Sequence, residues 1–210
     1  MSGKKSGSQT LLWSVIMSSP GPLVVGLGLL VGQSSTQIAD FVRRSSELLA
    51  IIMAFVIYRI TTREGGVDAE RKARLERLSN LFVGAMMCLG GCVMLALAFA
   101  SEHTEKGNVI PGLTIALLGV IANTIFWRKY VKLNRKEPNA ILAVQARLYR
   151  AKSLVDLCVT AALLSVVVFP GSAFSYYIDL VGSIIVALYL VWCGWQTIRE
   201  RISGGGQEHS

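Results

Sequence analysis

The sequence is poor in the residues on which soluble enzymes and metalloproteins depend. Charged residues make up 16% of the 210-residue chain, whereas a soluble domain carries about 25%. The two histidines both lie in polar stretches, so neither resembles a buried ligand. The sequence contains no glycine-rich phosphate loop, no nucleophile–base pair and no metal-hydrolase motif. We therefore expect neither an enzyme nor a cofactor.

The cysteines are few and give no disulfide framework. All four lie in apolar blocks: Cys88, Cys92, Cys158 and Cys193. Cys88 and Cys92 are one helical turn apart and follow Met86 and Met87, so this group has the soft sulfur ligands that suit copper(I). Ordinary packing is the favoured interpretation, because Cys behaves as a small hydrophobic residue and Met fills gaps.

Apolar sequence, in contrast, is abundant. Hydrophobic residues form 52% of the chain and come in long blocks, which predicts a polytopic membrane protein. At about 20 residues per span, the chain has room for six helices and for no separate soluble domain. The predicted fold is an all-α membrane protein with six transmembrane helices in residues 9–200. A polar segment, 1–8, precedes them, and a disordered tail, 201–210, follows.

The apolar blocks also predict where each span lies. The spans are placed near residues 10–32, 37–60, 78–100, 108–127, 139–168 and 178–197. Pro20 and Pro22 interrupt the first span and predict a kink or a short lead-in helix. The charged segment 62–77 is predicted to be a water-facing helix. A basic link follows the fourth span, and Pro138 is expected to start the fifth helix.

The net charge of +8 indicates membrane anchoring and not nucleic-acid binding, because the basic residues flank apolar blocks. Nearly all Lys and Arg outside the spans fall on the side that holds both termini, and Lys106 is the exception. The positive-inside rule then places both termini in the cytoplasm. We expect an integral protein of a bacterial-type inner membrane or a plasma membrane, in contact with membrane lipid.

Two of the predicted spans carry charges at membrane depth, where ionisable groups are costly and face a partner, a cavity or a pathway. The second span carries Asp40, Arg43, Arg44 and Glu47, and the fifth carries Arg147, Arg150, Lys152 and Asp156. At 1.5 Å per residue, Glu47 lies ~18 Å and Asp156 ~21 Å below the outer ends of their helices. Two carboxylates at one depth predict a cation site between these helices.

These segments resemble those of the cation diffusion facilitator family, six-helix transporters of zinc and related metals. Residues 39–47 resemble the family's second-span motif A-D-G-x-(H/D)-S-x-x-D, and residues 152–156 resemble its fifth-span H-x-x-x-D. Asn123 resembles the fourth-span asparagine and Asp179 the aspartate that opens the sixth span. The resemblance covers residues of about 12–200 and implies a homodimer.

The resemblance also shows where this chain departs from the family. Relatives bind the metal with two residues from each of the second and fifth spans, which correspond here to Arg43, Glu47, Lys152 and Asp156. Arginine has no lone pair for a metal, and lysine must be neutral to bind one. The divalent-metal site is thus absent or reduced to Glu47 and Asp156, with Asp40 as an extra candidate. The family's His-rich segment and C-terminal cytoplasmic domain have no counterpart in these residues.

The charge cluster has three interpretations. The charges can form a closed salt-bridge network that joins two helices, as architecture alone. The network can instead open, so that Glu47 and Asp156 exchange Arg43 or Lys152 for a substrate cation or a proton. In a third interpretation, the two basic residues bind an anionic or zwitterionic substrate. The sequence does not separate these possibilities.

The function predicted first is therefore secondary transport, with cation efflux coupled to protons by antiport. Its transport site comprises Asp40, Arg43, Glu47, Lys152 and Asp156, supported by Asn123 and Asp179, and a small cation or proton is the substrate. The alternative is a transport-inactive membrane scaffold or a partner subunit of a transporter.

Overall fold

The computed structural model describes residues 2–31, 35–62, 67–100, 110–169 and 172–203. Within these residues the chain forms seven α-helices and no strand. Their bounds are α1 (Ser2–Ser18), α2 (Pro20–Val31), α3 (Ser35–Thr62), α4 (Ala69–Ala100), α5 (Ile110–Lys136), α6 (Ala140–Val168) and α7 (Ala173–Ser203). The predicted all-α fold is confirmed. Most of the tail, 204–210, lies outside the described residues.

The first two helices are the two halves of one span. They meet at Ser19, directly before Pro20, which has no backbone N–H to continue the hydrogen-bond ladder. An apolar stretch from Ser6 to Leu27 runs through both halves. The predicted kink is therefore present, and seven helices make six spans. Helix α1 already begins at Ser2, so the segment predicted as polar and separate is largely helical.

The helices are long enough to cross a bilayer. Among the described residues, four stretches are both long and apolar enough: Ser6–Leu27, Phe41–Thr62, Ala69–Phe99 and Leu180–Glu200. Helices α5 and α6 have 27 and 29 residues, or ~40 Å each at 1.5 Å per residue. This exceeds the hydrocarbon thickness of about 30 Å. Six helices of spanning length agree with the predicted fold class.

Two helix boundaries differ from the prediction because charged residues extend a helix beyond the apolar core. Helix α4 begins at Ala69, so most of the charged segment 62–77 belongs to the same helix as the third span. Helix α5 continues to Lys136, through residues predicted to form a basic link. Neither extension contains Pro or Gly, and their Lys, Arg, Leu and Glu residues favour helix.

The start of α6 follows from local sequence. Pro138 precedes it, and the Asn139 side-chain oxygen accepts hydrogen bonds from the backbone N–H groups of Ile141 and Leu142, at 2.9 and 3.3 Å. This is the N-cap arrangement, which satisfies donors that lack a partner within the helix. The Asn139 amide also donates to Glu76 of α4 at 3.3 Å. Helix α6 therefore begins at Ala140, two residues after the predicted start at Pro138, and is fixed to α4 at this end.

The helices pack in a ring. Helix α4 packs against α3 and α7, α6 packs against α5 and α7, and α1 completes the ring between α3 and α5. Successive spans alternate in direction, so α1 begins and α3, α5 and α7 end on one side. We call it the terminal side, and the opposite one the far side. The α1–α2 span, α3, α5 and α6 together enclose the charged residues.

Gly194 of α7 lies unusually close to α4. A Cβ atom at Gly194 would come 2.6 Å from the carbonyl oxygen of Gly84. Since backbone cannot rotate away, Gly194→Ala is expected to separate the helices and lower stability by about 2 kcal/mol. Thermal melting of the purified protein measures this. Gly182→Ala is the matched control, because its Cβ would meet only the Cys158 side chain, at the ordinary van der Waals distances of 3.5 and 3.9 Å. Equal melting temperatures for the two variants would contradict this packing.

Candidate functional site

Glu47 and Asp156 lie at the same depth in the bundle. Helix α3 begins and α6 ends on the far side. Ser35 to Glu47 and Asp156 to Val168 are each twelve residue steps. At 1.5 Å per residue, each carboxylate is ~18 Å from the far end of its helix. The predicted coincidence in depth is present in the structure.

Glu47 is held between two cations. Its Oε1 lies 3.2 Å from Nη1 of Arg43, one turn earlier on α3, and its Oε2 lies 3.3 Å from Nζ of Lys152 on α6. The three side chains are 9 to 13% exposed. Buried charges are stable only when paired and hydrogen-bonded. The Glu47–Lys152 pair is therefore a direct connection between the two helices at mid-membrane.

Asp156 has a neutral partner. The amide nitrogen of Asn123 on α5 donates a hydrogen bond of 2.6 Å to its Oδ2. Gly119, one turn from Asn123 on the same face of α5, permits this approach, since a Cβ there would come 2.5 Å from Asp156 Oδ2. No ion pair to Asp156 is found in the described part of the chain. Asp156 thus differs from Glu47, whose two oxygens both face cations.

Both carboxylates line one cavity of about 370 Å³. Its other charged or amide side chains are Arg43, Arg44, Asn123 and Lys152. The wall is completed by residues from the kinked span, α5 and α6, among them Ser18, Pro22, Ala116, Val159 and Leu163. The structure therefore brings together five of the seven residues singled out from the sequence. A cavity of this size is large enough for a hydrated ion or a small solute.

Sequence reasoning missed two residues of the wall, Ser18 and Gly119, and one residue packed beside it, Tyr149. Tyr149 is fully buried, and Lys152 Nζ lies 5.2 Å from the centre of its ring, within the range of a cation–π contact. Its hydroxyl lies 3.3 Å from Ser18 Oγ. Tyr149 precedes Lys152 by three positions, which places them on one helix face, so spacing was an available signal. No comparable signal indicated Ser18. The spacing of Gly119 from Asn123 offered a similar clue.

Other predicted residues are not placed in the cavity. The side chains of Asp40 and Asp179 lie outside the described residues. Arg147 forms two hydrogen bonds to Glu200 of α7, at 2.7 and 3.0 Å. Arg150 donates to the Tyr189 hydroxyl at 2.6 Å. These two arginines join α6 to α7, so of the four charged residues predicted in the fifth span only Lys152 and Asp156 line the cavity.

The ligands needed for a transition metal are sparse. The described residues contain no group of three or more His, Cys, Asp and Glu side chains placed to hold a metal. At the cavity, Glu47 already contacts two cations, which leaves Asp156 as the one carboxylate without such a contact in this region. Of the sulfur group, Met87 is 1% exposed in the core and the Cys88 thiol donates to the Val191 carbonyl. These contacts support the interpretation that the Met and Cys side chains pack in the core.

A zinc titration checks this interpretation. A structural zinc site takes four N, S or O ligands, and the cavity offers fewer. We expect isothermal titration calorimetry of the wild type to detect no submicromolar zinc binding. Asp156→Ala provides the control for adventitious binding. Submicromolar zinc binding that disappears in Asp156→Ala would contradict this interpretation.

The comparisons with known proteins agree with these observations. A protein-family model described as the cation efflux transmembrane domain matches residues 11–204, nearly the whole chain. No curated protein matches the sequence. The match covers nearly all of the six spans and every residue that lines the central cavity. The chain therefore belongs to the cation efflux family, the cation diffusion facilitators, and is a polytopic membrane protein of that transporter family.

Proposed function

We propose that this protein is a secondary transporter of a small monovalent cation, in exchange for protons. The observation that supports this most strongly is the cavity in which Asp156 meets Glu47, Lys152 and Asn123. Membership of a cation-efflux family supplies the general class of activity. The replacement of two family metal positions by Arg43 and Lys152 argues for a substrate other than zinc.

Lys152 is the proposed internal cation. Its amine contacts Glu47 at 3.3 Å, and Asp156 is one turn further along the same helix. An ion pair at this spacing is within reach of the lysine side chain. When Lys152 is on Glu47, Asp156 accepts the substrate cation or a proton. When Lys152 moves to Asp156, it displaces that ion. This competition couples ion release to the breaking of the Glu47–Lys152 contact between α3 and α6.

The charge at the site supports a monovalent substrate. Glu47 is shared by two cations, so Asp156 offers a single negative charge, next to the Asn123 side-chain amide that donates to it. Calcium takes six to eight oxygen ligands, and magnesium requires near-ideal octahedral geometry. One carboxylate with one amide suits a proton or a partly hydrated monovalent ion. A small protonated amine carries the same single positive charge and belongs to this substrate class.

The setting of the transporter is part of the proposal. We place both termini in the cytoplasm of a bacterial-type inner membrane or plasma membrane, because Lys and Arg are concentrated on the terminal side. The lining residues Val159 and Leu163 of α6 and Ala116 of α5 extend the cavity from the charge cluster towards the far side. We also propose a homodimer, as in the family.

A scaffold or partner subunit is the second candidate. The double contact of Arg43 and Lys152 with Glu47 supports it, because a closed, buried ion-pair network can be purely architectural. In that case the cavity would have no part in transport, and the protein would act through its contacts with another membrane protein.

Reconstitution into liposomes tests the proposal. Liposomes loaded with a pH-sensitive dye receive an outward proton gradient, and sodium, potassium, lithium, methylammonium, zinc and a zwitterionic amino acid are added in turn. We expect one monovalent cation to dissipate the pH gradient faster than in protein-free liposomes. If the folded protein moves none of these solutes, the scaffold candidate is supported. If zinc or the amino acid alone moves, the proposed substrate class is wrong.

A further inference from the structure

A second cavity, of about 420 Å³, lies between α1 and α5 at the terminal side of the bundle. Helix α5 contributes three lysines to its wall, Lys129, Lys132 and Lys136. Helix α1 contributes the polar side chains Ser6, Gln9 and Thr10 together with Trp13. None of these residues belongs to the central cavity, so the two sites are chemically separate.

The position of this cavity matches the membrane surface. From Ile110, where α5 begins on the far side, Lys129 is nineteen residues along the helix. That is ~28 Å at 1.5 Å per residue, close to the hydrocarbon thickness of about 30 Å. The three lysines therefore lie at the level of the lipid headgroups. Trp13, which is 55% exposed, is the type of side chain that is enriched at this level.

The positive charge of the cavity favours the binding of an anion. The described residues that line it include no Asp or Glu. None of the ion pairs in the described chain involves Lys129, Lys132 or Lys136. Their spacings of three and four residues place them on one helix face, where like charges repel one another. A bound anion would relieve that repulsion and accept hydrogen bonds from the three ammonium groups.

The cavity also has an apolar continuation. Phe126, Leu133 and Trp13 share its wall with the lysines. Deeper in the membrane, Ile16 of α1 and Ile125 of α5 are 47% and 48% exposed. A free phosphate ion would use the lysines and leave this apolar surface without a partner. A phospholipid would cover both, with its acyl chains along the helices.

We propose that the cavity between α1 and α5 binds the phosphate headgroup of an anionic phospholipid. The lysines hold the phosphate, Ser6, Gln9 and Thr10 contact the polar part of the headgroup, and Trp13 packs at the boundary with the acyl chains. Basic pockets between transmembrane helices on the cytoplasmic side bind anionic lipid headgroups in general. Binding at this place would fix the kinked first span to α5, two elements that line the central cavity as well.

Native mass spectrometry of the purified full chain tests this proposal. Phosphatidylglycerol is titrated into detergent micelles, with phosphatidylcholine as the zwitterionic comparison. The triple variant Lys129→Gln, Lys132→Gln, Lys136→Gln is expected to bind phosphatidylglycerol about a hundredfold more weakly, as three contributions of about 1 kcal/mol each predict. The charge-matched control is Arg71→Gln, Lys72→Gln, Arg74→Gln, at three exposed positions of α4.

The outcomes separate the alternatives. Binding that falls in the α5 variant and stays unchanged in the α4 variant supports the site. An equal loss in both variants would show a general effect of charge and overturn it. Inorganic phosphate is titrated in parallel, and if it competes as well as the lipid does on a molar basis, the lipid assignment is wrong. A melting temperature of the α5 variant within the range of the control shows that the loss reflects binding.

Discussion

Replacing Asp156 with asparagine is expected to lower flux by about a hundredfold, to the background of protein-free liposomes. Asn is nearly the same size but has no negative charge, so the hydrogen-bonded contact with Asn123 becomes amide to amide. The substitution removes the charge that is proposed to bind the substrate cation, and a hydrogen bond to a charged group is worth about 1.5 to 3 kcal/mol. Every 1.4 kcal/mol corresponds to a factor of ten. The measurement is initial flux in the dye-loaded liposomes, at matched protein density.

Asp68→Asn is the matched control for this variant. Asp68 is exposed directly before α4, outside the bundle, and undergoes the same chemical change. Because Asn and Asp cap a helix N-terminus equally well, the stability of the Asp68→Asn protein should not change. We expect wild-type flux from Asp68→Asn. Substantial flux from a folded Asp156→Asn protein would remove Asp156 from the proposed mechanism.

Replacing Glu47 with glutamine should have the largest effect on stability. The substitution leaves Lys152 buried beside a neutral amide, and removing one member of a buried pair costs about 3 to 5 kcal/mol. We expect about 3 kcal/mol, the lower end of that range, because Asp156 is one turn from Lys152 and offers it another partner. Chemical unfolding in detergent micelles measures the loss.

The double variant Glu47→Gln, Lys152→Met separates pairing from burial. It removes both members of the ion pair, and a well-packed neutral replacement of a buried pair is often close to neutral in stability. Arg43 also loses its 3.2 Å contact with the Glu47 carboxylate, so we expect the double variant to be about 1 kcal/mol less stable than the wild type and clearly more stable than Glu47→Gln. If the double variant is as unstable as the two single changes added together, Glu47 and Lys152 do not interact as the 3.3 Å contact implies.

The fold was predictable because it follows from the lengths of apolar blocks. Six blocks of spanning length with basic flanks leave few arrangements, and Pro20 marked a kink and Pro138 a helix start to within two residues. The boundaries of α4 and α5 were less predictable. Their charged ends are too polar to count as part of an apolar span. They remain helical because their Lys, Arg, Leu and Glu residues favour helix.

The site was predictable up to the choice of partners. Spacing within one helix pairs Arg43 with Glu47 and would equally pair Lys152 with Asp156. In the structure Lys152 instead contacts Glu47 across the bundle, and Asn123 takes the place beside Asp156. Sequence spacing cannot give such contacts, because the rotation and separation of neighbouring helices decide them. For example, α5 lies so close to α6 at Gly119 that a Cβ atom there would come 2.5 Å from Asp156 Oδ2.

The flux of the double variant Glu47→Gln, Lys152→Met tests most directly whether the charge cluster transports or only joins two helices. This variant keeps Asp156 and Asn123 and is expected to stay folded. Without Lys152 to displace the ion at Asp156, the account predicts flux at the background of protein-free liposomes. Wild-type flux from the folded double variant would contradict it and show that the Glu47–Lys152 pair is architecture alone.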